Sequence, residues 1–518
     1  MSVNANSLAA GKLYGVENKV FKPGVNVLPR KIVIVGTYDP AKTAVVDDVP
    51  KQVLSENQVG SEFGEGFMLH RLAISVFKSN KNIETWVIPQ AEAGGAVEAD
   101  GKLSVTGPAT EDGVASVYVS GKKIADVAIS NGDIADDIAA AINAAILAAD
   151  SEISISSAID GVNDFEVNPV SKSKGTYGND IQISIGLKGE QLPAGVAIVI
   201  TPMANGATDP DIQTALDALG EGDNQNEENF TAIQHGYGYA VATLDKTSNY
   251  NGTGNDFVGN YKKEVARPFR SLVGDVQEGE AGLLALIALT DLRKQDRTNG
   301  VLAMPGSESH PSEFAALAMG AMEAISNNLA EQSYIDEVLS DVDLGEDRWT
   351  DTYDFRDQAV KAGISPTLVK DGAITLQNVV TFYRPDAVPQ DSNGYRSMRN
   401  ISIIQNILNA EKVRFSLDKW KQITIVKDTS RVTDVDSRKK ARDKEDVVSE
   451  ILALAGDFEK KAWIFSKDFT TQKAQSEEIV TLRLNGSGFD SIFPLILSGE
   501  GGILNMTTEF DVSLAVFL

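Results

Sequence analysis

The stretch Pro305-Gly-Ser-Glu-Ser-His-Pro-Ser-Glu313 holds the densest grouping of side chains able to do covalent chemistry, with the Ser307 and Ser309 hydroxyls beside the His310 imidazole. A hydroxyl becomes a nucleophile when an imidazole takes its proton, and a third group normally orients that imidazole. Triad members usually arrive from separate loops, so adjacent Ser and His rarely form the working pair. The same residues read well as a helix start. Pro311 fits the first helical position, and Glu313 the third, where a carboxylate meets the positive end of the helix dipole. Capping is the preferred reading, and no catalytic residue is expected.

The other reactive side chains are as sparse. His70, His235 and His310 are the only histidines, and none has a metal-ligand spacing to another His or a carboxylate. His70 is expected on a helix as a surface or interface side chain. Asp341-Val-Asp-Leu-Gly-Glu-Asp347 lacks the glycine and terminal glutamate spacing of a calcium loop and is expected to be solvated. Gly60–Gly66 carries three glycines, yet it follows no strand and matches neither dinucleotide nor phosphate-loop spacing. With no cysteine, thiol catalysis, thiolate metal sites and disulfides are excluded. No metal and no cofactor is expected.

The net charge of −26 over 518 residues argues against direct nucleic-acid binding, which needs clustered positive charge. The charge is unevenly spread. Residues 391–470 hold 16 Lys+Arg against 13 Asp+Glu, or +3, while the remainder holds 31 against 60, or −29. Such asymmetry suggests that one face meets an acidic partner. Within this region Arg438, Lys439, Lys440, Arg442 and Lys444 are expected to open a long helix near Ser437–Phe465. Cations there oppose the helix dipole. A run that works against local stability invites a contact role. A solvated face neutralised by Asp443, Glu445 and Asp446 accounts for it equally well.

The elements that would carry these residues fall into four parts. Residues 1–29 read as an arm, with Val20, Phe21, Val25, Val27 and Leu28 in a strand-like segment broken by Pro23-Gly24. Buried strands at Lys31–Gly36, Glu84–Pro89, Ala240–Leu244, Leu283–Leu289 and Gly300–Pro305 alternate with helices at Gly66–Asn80, Ile212–Leu219, Asp256–Leu272, Pro311–Ala330 and Phe355–Ala362. That alternation predicts a doubly wound α/β middle domain over 30–93 and 207–390. It is interrupted at 94–206 by a mainly β insertion rich in Ala, Gly, Ser, Val and Ile, expected to fold separately and face solvent. Its expected strands are Lys102–Thr106, Ala115–Val119, Ile153–Ser156, Asp180–Ile185 and Gly195–Ile200, with a helix at Asp133–Ala149. Residues 391–518 read as an α+β unit. It has a helix at Arg396–Phe415, a strand at Lys421–Val426, the long helix already named, and strands at Glu478–Asn485, Ile492–Leu497 and Thr508–Leu518. In the last of these Phe510, Val512, Leu514, Val516 and Leu518 share one face. A terminal strand so apolar is expected to be laid into a sheet, its own or a neighbour's. No run is apolar and long enough to span a bilayer, and no secretory signal is expected at the start.

Taken in order, several stretches resemble the tail-sheath proteins of contractile-tailed, Mu-like bacteriophages. They are Arg30–Gly36, Gly64–Leu69, Glu84–Gln90 running into a Gly-rich insertion, Gly300–Pro305 before an Ala-rich helix, Ala362–Pro366, Ile374 through Asp386, and Met398 through Phe415. The resemblance implies a structural subunit, not an enzyme, with a middle domain of subtilisin-like fold and no subtilisin activity. It implies helical polymerisation around a tail tube. Arms at 17–28 and 508–518 would add strands to neighbouring subunits, the insertion would lie outermost, and Arg438–Lys444 would face the tube. The implied partners are other sheath subunits, tube, baseplate and tail-terminator proteins, with no nucleic acid and no membrane insertion. The implied location is a virion tail assembled in the host cytoplasm. Two other readings are an α/β hydrolase-like enzyme working through His310, and a cell-surface or adhesive assembly protein displaying 94–206.

Overall fold

The computed structural model describes residues 28–79, 82–219, 230–247, 269–326, 333–384, 393–483 and 488–499. The arm residues Val20, Phe21, Val25 and Val27, and likewise Phe510, Val512, Leu514, Val516 and Leu518, lie outside them. Leu28 is buried, and its N–H donates to Asn406 Oδ1 of the same chain at 3.0 Å.

The chain enters a nine-stranded sheet with β1 (Lys31–Thr37), β2 (Lys51–Val53) and β3 (Glu84–Gln90). It leaves for the insertion through β4 (Glu98–Thr106), β5 (Gly113–Val119), β6 (Lys122–Ile129), β7 (Ile155–Ile159), β8 (Glu166–Lys174), β9 (Ile183–Ile185) and β10 (Ala197–Ala204). It returns with β11 (Ala232–His235), β12 (Arg270–Asp275), β13 (Asn299–Ala303), β14 (Val338–Leu339), β15 (Ile364–Lys370) and β16 (Ala373–Leu376). The spatial order is β14-β16-β15-β13-β12-β11-β1-β3-β2. The six strands from β15 to β3 run parallel, and antiparallel strands close both edges. Continuous Val/Ile runs suit the parallel centre because both faces are covered. Leu272 and Leu302 pack with the helices Met68–Ser79 and Pro311–Ser326, whereas Val273, Val301 and Ala303 pack with the helices Gly279–Asp291 and Tyr353–Lys361.

Three expectations in this region are corrected. Leu283–Leu289 is helical, part of Gly279–Asp291, because Leu283, Leu286 and Thr290 recur at helical spacing on its buried side. Val241–Leu244 belongs to the helix Val241–Thr247, which buries Leu244 and Thr247 three residues apart, so the expected strand 240–244 is absent. The end of the expected helix 256–272 is strand instead. All six residues of β12 are buried between two helical layers, and neighbouring residues alternate between them, Leu272 toward one and Val273 toward the other.

The insertion is mainly β, as expected. β10-β4-β8-β7 form one antiparallel sheet and β6-β5-β9 another, with the helix Ala135–Ala148 against them. β6 and β8 are additions to the sequence reading. The insertion is not separate from the body, however. Ala99, Leu103, Ile142 and Tyr177 share one continuous core with Met68, Leu72 and Phe314.

In the C-terminal region the helix Met398–Phe415 packs Ile403, Ile407 and Ala410 against Leu454, Phe458 and Trp463. The expected long helix at 437–465 is broken into the helix Val435–Lys440, the two-residue β18 (Ala441–Arg442) beside β17 (Thr424–Ile425), and the helix Lys444–Lys460. Asp443 causes the break. Its carboxylate and that of Asp446 form a reciprocal capping box that starts a new helix. A further helix, Lys467–Ser476, and the hairpin β19 (Val480–Leu482) with β20 (Phe489–Ser491) follow.

Candidate functional site

The reactive cluster after β13 is structural in its geometry. Pro311 opens the helix and Glu313 lies in its first turn, as expected. Ser307 Oγ donates to the Asp343 carbonyl at 2.7 Å, and Ser309 Oγ accepts the Asp343 N–H at 2.8 Å, so neither hydroxyl is aimed at His310. His310 is buried, lies 3.0 Å through Nε2 from the Tyr177 carbonyl, and stacks on the Tyr177 ring at 4.0 Å. Glu313 receives two hydrogen bonds from Arg71, at 3.0 and 2.5 Å, and one from the Tyr177 hydroxyl at 2.9 Å. Burial alone would raise the Glu313 carboxyl, but the Arg71 charge and these bonds hold it below the usual carboxylate range. These residues join the insertion to the body.

The other candidates are absorbed in similar ways. His70 lies on a helix as expected, but it is buried within the chain rather than a surface or interface side chain. Its Nδ1 accepts the Gly66 N–H at 2.9 Å, and burial with the nearby Arg71 and Lys172 charges drops its pKa to about 4. The close pass of Gly60 over its ring explains the burial, since a Cβ on Gly60 would stand 2.8 Å from Nε2. His235 ends β11, where burial likewise lowers it to about 4. Strand order reverses between β1 and β11, the place where parallel sheets commonly hold ligands. Here the Met68 side chain fills that crevice, within 3.3 Å of a Cβ on either Gly36 or Gly236. Asp275, at the end of β12, is a buried carboxylate that the sequence reading passed over. It accepts from Tyr239 Oη at 2.9 Å and from the Gln277 side chain at 3.1 Å. In the acidic loop Asp343 is buried rather than solvated, because its carboxylate accepts the Glu308 and Gly345 N–H groups. Among the described residues no group of three His, Asp or Glu could hold a metal ion.

The basic segment remains as the site. Its dipole reading is corrected. Arg438, Lys439 and Lys440 occupy the last turn of the helix Val435–Lys440, where the dipole stabilises cations. Arg442 lies in β18, and only Lys444 begins the following helix. The cations differ in how they are compensated. Lys439 pairs with Asp436 at 2.8 Å, Lys444 with Glu478 at 3.3 Å, and Lys421 with Asp418 at 3.1 Å. Lys440 Nζ instead donates to the carbonyls of Asp418 and Lys421, at 3.2 and 3.0 Å. Arg442 donates to the Lys419 carbonyl at 2.8 Å and lies 5.6 Å from the Trp420 ring centroid. Carbonyls and a ring face position a cation without cancelling its charge. Arg438 and Lys427, both exposed, have no carboxylate partner among the described residues. Lys427, Arg438, Lys440 and Arg442 therefore carry the uncompensated charge. Lys427 was missed because it stands alone in sequence. Asp443 organises the segment, accepting the Thr429 N–H and hydroxyl at 2.8 and 2.9 Å and the Asp446 N–H at 3.0 Å.

Comparison with known proteins adds the following. No known family profile matches the chain. The chain is 23% identical over 408 residues to the Mu-like prophage FluMu tail sheath protein of Haemophilus influenzae, an alignment covering 78% of each protein. Among solved structures, a sheath tail protein of Desulfitobacterium hafniense aligns with 94% of this chain and 100% of its own, at 11% identity and a TM-score of 0.39. A sheath tail protein of Listeria innocua aligns over 92% and 94%, at 11% identity and 0.42. The anti-feeding prophage helical sheath in its contracted state aligns over 97% and 99%, at 9% identity and 0.43.

Proposed function

We propose that this chain, like the tail sheath protein it resembles, is a structural subunit of a contractile tail sheath, and not an enzyme. The observation that carries the reading is the alignment over 408 residues, which runs through most of both proteins. The geometry is compatible. The tempting Ser–His pair is spent on structure, and in the basic segment Lys427, Arg438, Lys440 and Arg442 have no carboxylate partner among the described residues, which suits contact with an acidic surface. The subunit polymerises helically in the tail of a virion, with a tail tube inside the sheath and baseplate and terminator proteins at its ends. It contracts to drive the tube through the host envelope.

The finer mechanism belongs to the same proposal. The middle domain comprises 30–93 and 207–390, the insertion 94–206 lies outermost, and 391–518 faces the tube. The segments 17–28, rooted at Leu28, and 508–518 add strands to sheets of neighbouring subunits. Main-chain bonds then supply affinity and alternate side chains specificity. A head-to-tail contact that does not close gives a helix. Contraction is a repacking of subunit bodies that stay joined by their arms. The tube contact runs through Lys427, Arg438, Lys440 and Arg442, exposed enough to be weak and salt-sensitive, as suits a contact broken on firing. The test is negative-stain microscopy of the full-length chain and of the chain lacking 508–518. Striated hollow cylinders from the full-length chain alone are expected. Cylinders of normal length from the truncated chain would sink the arm mechanism.

A further inference from the structure

The helix Gly279–Asp291 is apolar on its outer side as well as on the side that packs against the sheet. Leu283, Leu286 and Thr290 face inward, while Ala281, Leu284, Ala285, Ala288 and Leu292 are exposed. Leu284 is 51% exposed and Leu292 81%. A helix apolar all round is normally covered on every side, and contiguous exposed apolar residues mark an interaction site. The outward residues Glu280, Leu284, Ala288 and Leu292 follow one i, i+4 ridge, about 18 Å long at the helical rise. Glu280 tips that ridge and has no cation partner among the described residues. At the other end Asp291 is already neutralised by Arg384 at 2.8 Å and Lys294 at 3.5 Å.

The opposite edge of the sheet carries the complementary shape. Beside β2, the loop 38–50 and the helix Glu56–Phe63 enclose a groove of about 580 Å³. Val45, Phe63 and Pro89 line its inner part, with Val46 and Val49 at the mouth, 65% and 50% exposed. The groove is preformed. Asp39 N–H donates to the Phe63 carbonyl at 2.8 Å, Asp48 N–H to the Pro89 carbonyl at 2.9 Å, and the Tyr38 hydroxyl to Asp47 at 2.8 Å. Of its charged groups, Lys51 is paired with Glu62 at 2.7 Å. Lys42 Nζ donates only to the Ser61 carbonyl, at 2.9 Å, and has no carboxylate partner among the described residues. The helix packs on β12 and β13, and β11 and β1 stand between these and β3, so a copy cannot seat its own ridge in its own groove.

We propose that the ridge Glu280–Leu292 of one copy seats in the groove 42–63 of a second copy, burying Leu284 and Leu292 against Val46 and Val49 and bringing Glu280 beside Lys42. The apolar side chains supply the affinity, and the two unpaired charges of opposite sign set the register. Ridge and groove are different parts of one surface, so the contact is head-to-tail and continues from copy to copy instead of closing in a pair. It rests on the reading of the chain as a self-assembling sheath subunit, and it joins bodies where the arms join sheets.

The chain has no cysteine, so single thiols report the contact directly. Full-length copies carrying Ala288→Cys are mixed with copies carrying Val46→Cys and treated with a short bis-maleimide, and cylinders are scored in the same samples by negative-stain microscopy. Covalent dimers are expected from the mixture and from neither variant alone. Adding Glu280→Lys to the first copy should cut the yield several-fold at low salt, and adding Lys42→Glu to the second should restore it. No dimer in the mixture, equal dimer from either variant alone, or a yield indifferent to the charge reversal would each overturn the contact. Cylinders without cross-links remove this contact and leave the sheath reading standing, whereas cross-links without cylinders keep the contact and count against the sheath.

Discussion

Asp443 is the residue on which the basic face depends, and Asp443→Ala is the sharpest perturbation of it. Its buried carboxylate caps the helix Lys444–Lys460 and also ties down Thr429 through two hydrogen bonds, so it joins the segment 424–431 to the helix start. Loss of an N-cap costs roughly 1 kcal/mol. The Thr429 N–H, left without its acceptor in a half-buried place, adds about 1–3 kcal/mol. The sum is roughly 2–4 kcal/mol of local stability, or about 30- to 900-fold in a local opening constant. A chain of 518 residues will not unfold as one unit, so the fitting assay is exchange protection of peptides covering 424–446, with 311–326 as internal reference. Asp443→Asn should lose less, since Asn caps well and keeps one acceptor oxygen. The pH dependence follows from the sign of the shift. Burial would raise the carboxyl, but the N–H and hydroxyl donors outweigh burial and hold it below its ordinary value. Its stabilisation is therefore present above the unfolded value of about 3.9 and is lost as the pH falls through the folded one. Protection of 424–431 that changes less than about twofold in Asp443→Ala, under half a kcal/mol, would refute this account of the segment.

Glu313→Ala strands the Arg71 guanidinium and Tyr177 hydroxyl in a buried place; a cost of about 3–5 kcal/mol is expected, read as faster proteolysis within the insertion. The pair Arg71→Met with Glu313→Leu should recover most of that loss, since an apolar replacement leaves no buried charge. Gly306→Ala forces a Cβ onto the Glu346 carbonyl at φ +71°; the thermal midpoint should fall by several degrees, and an unchanged midpoint would show that the loops can part. Charge reversal at Lys427, Arg438, Lys440 and Arg442 together should abolish co-sedimentation with an acidic tail tube at low salt, whereas reversal of Lys439 and Lys444 should weaken it far less.

Much of this architecture is legible in the residues, and the failures share a cause. Lys31–Thr37 and Glu84–Gln90 read correctly because β-branched runs bounded by polar residues fit only a buried strand. The start at Pro311 was readable from proline and glutamate positions, which act locally. Leu283–Leu289 misled because a segment apolar on every side hides its period, and only the neighbours decide between helix and strand. The break at Asp443 was written in the sequence as Asp443 and Asp446, but a box of two aspartates resembles ordinary surface charge. The burial of His70 and the Arg71–Glu313 pair could not be read. The pair depends on residues 242 positions apart meeting in space and His70 on the close pass of Gly60 over its ring, and no local pattern encodes either. The same holds for the basic face. Sequence shows how many cations it has, but which are cancelled depends on Asp436, Glu478 and the carbonyls that the fold brings beside them.

How the basic face would sense movement of the body is a question of stiffness, and the helix Met398–Phe415 answers it. Its first half is fastened under the sheet by polar groups with no access to water. Arg30 reaches Gln405 at 2.6 Å and the Ser326 carbonyl at 3.2 Å, and Gln405 passes the contact on to the Thr231 carbonyl at 2.9 Å. Arg270, paired with the equally buried Glu323, also donates to Tyr334 Oη and to the Met398 carbonyl. Buried charges of this kind add little net stability over apolar packing, yet breaking any one of them leaves an orphaned charge that costs several kcal/mol. The arrangement has one low-energy geometry rather than a range. The second half of the helix carries the apolar core of the C-terminal region through Ile407 and Ala410. One continuous helix thus has a polar lock at one end and a packed core at the other. Rotation of the nine-stranded sheet should carry Lys427, Arg438, Lys440 and Arg442 with it, and bending is left to segments that lack such a lock.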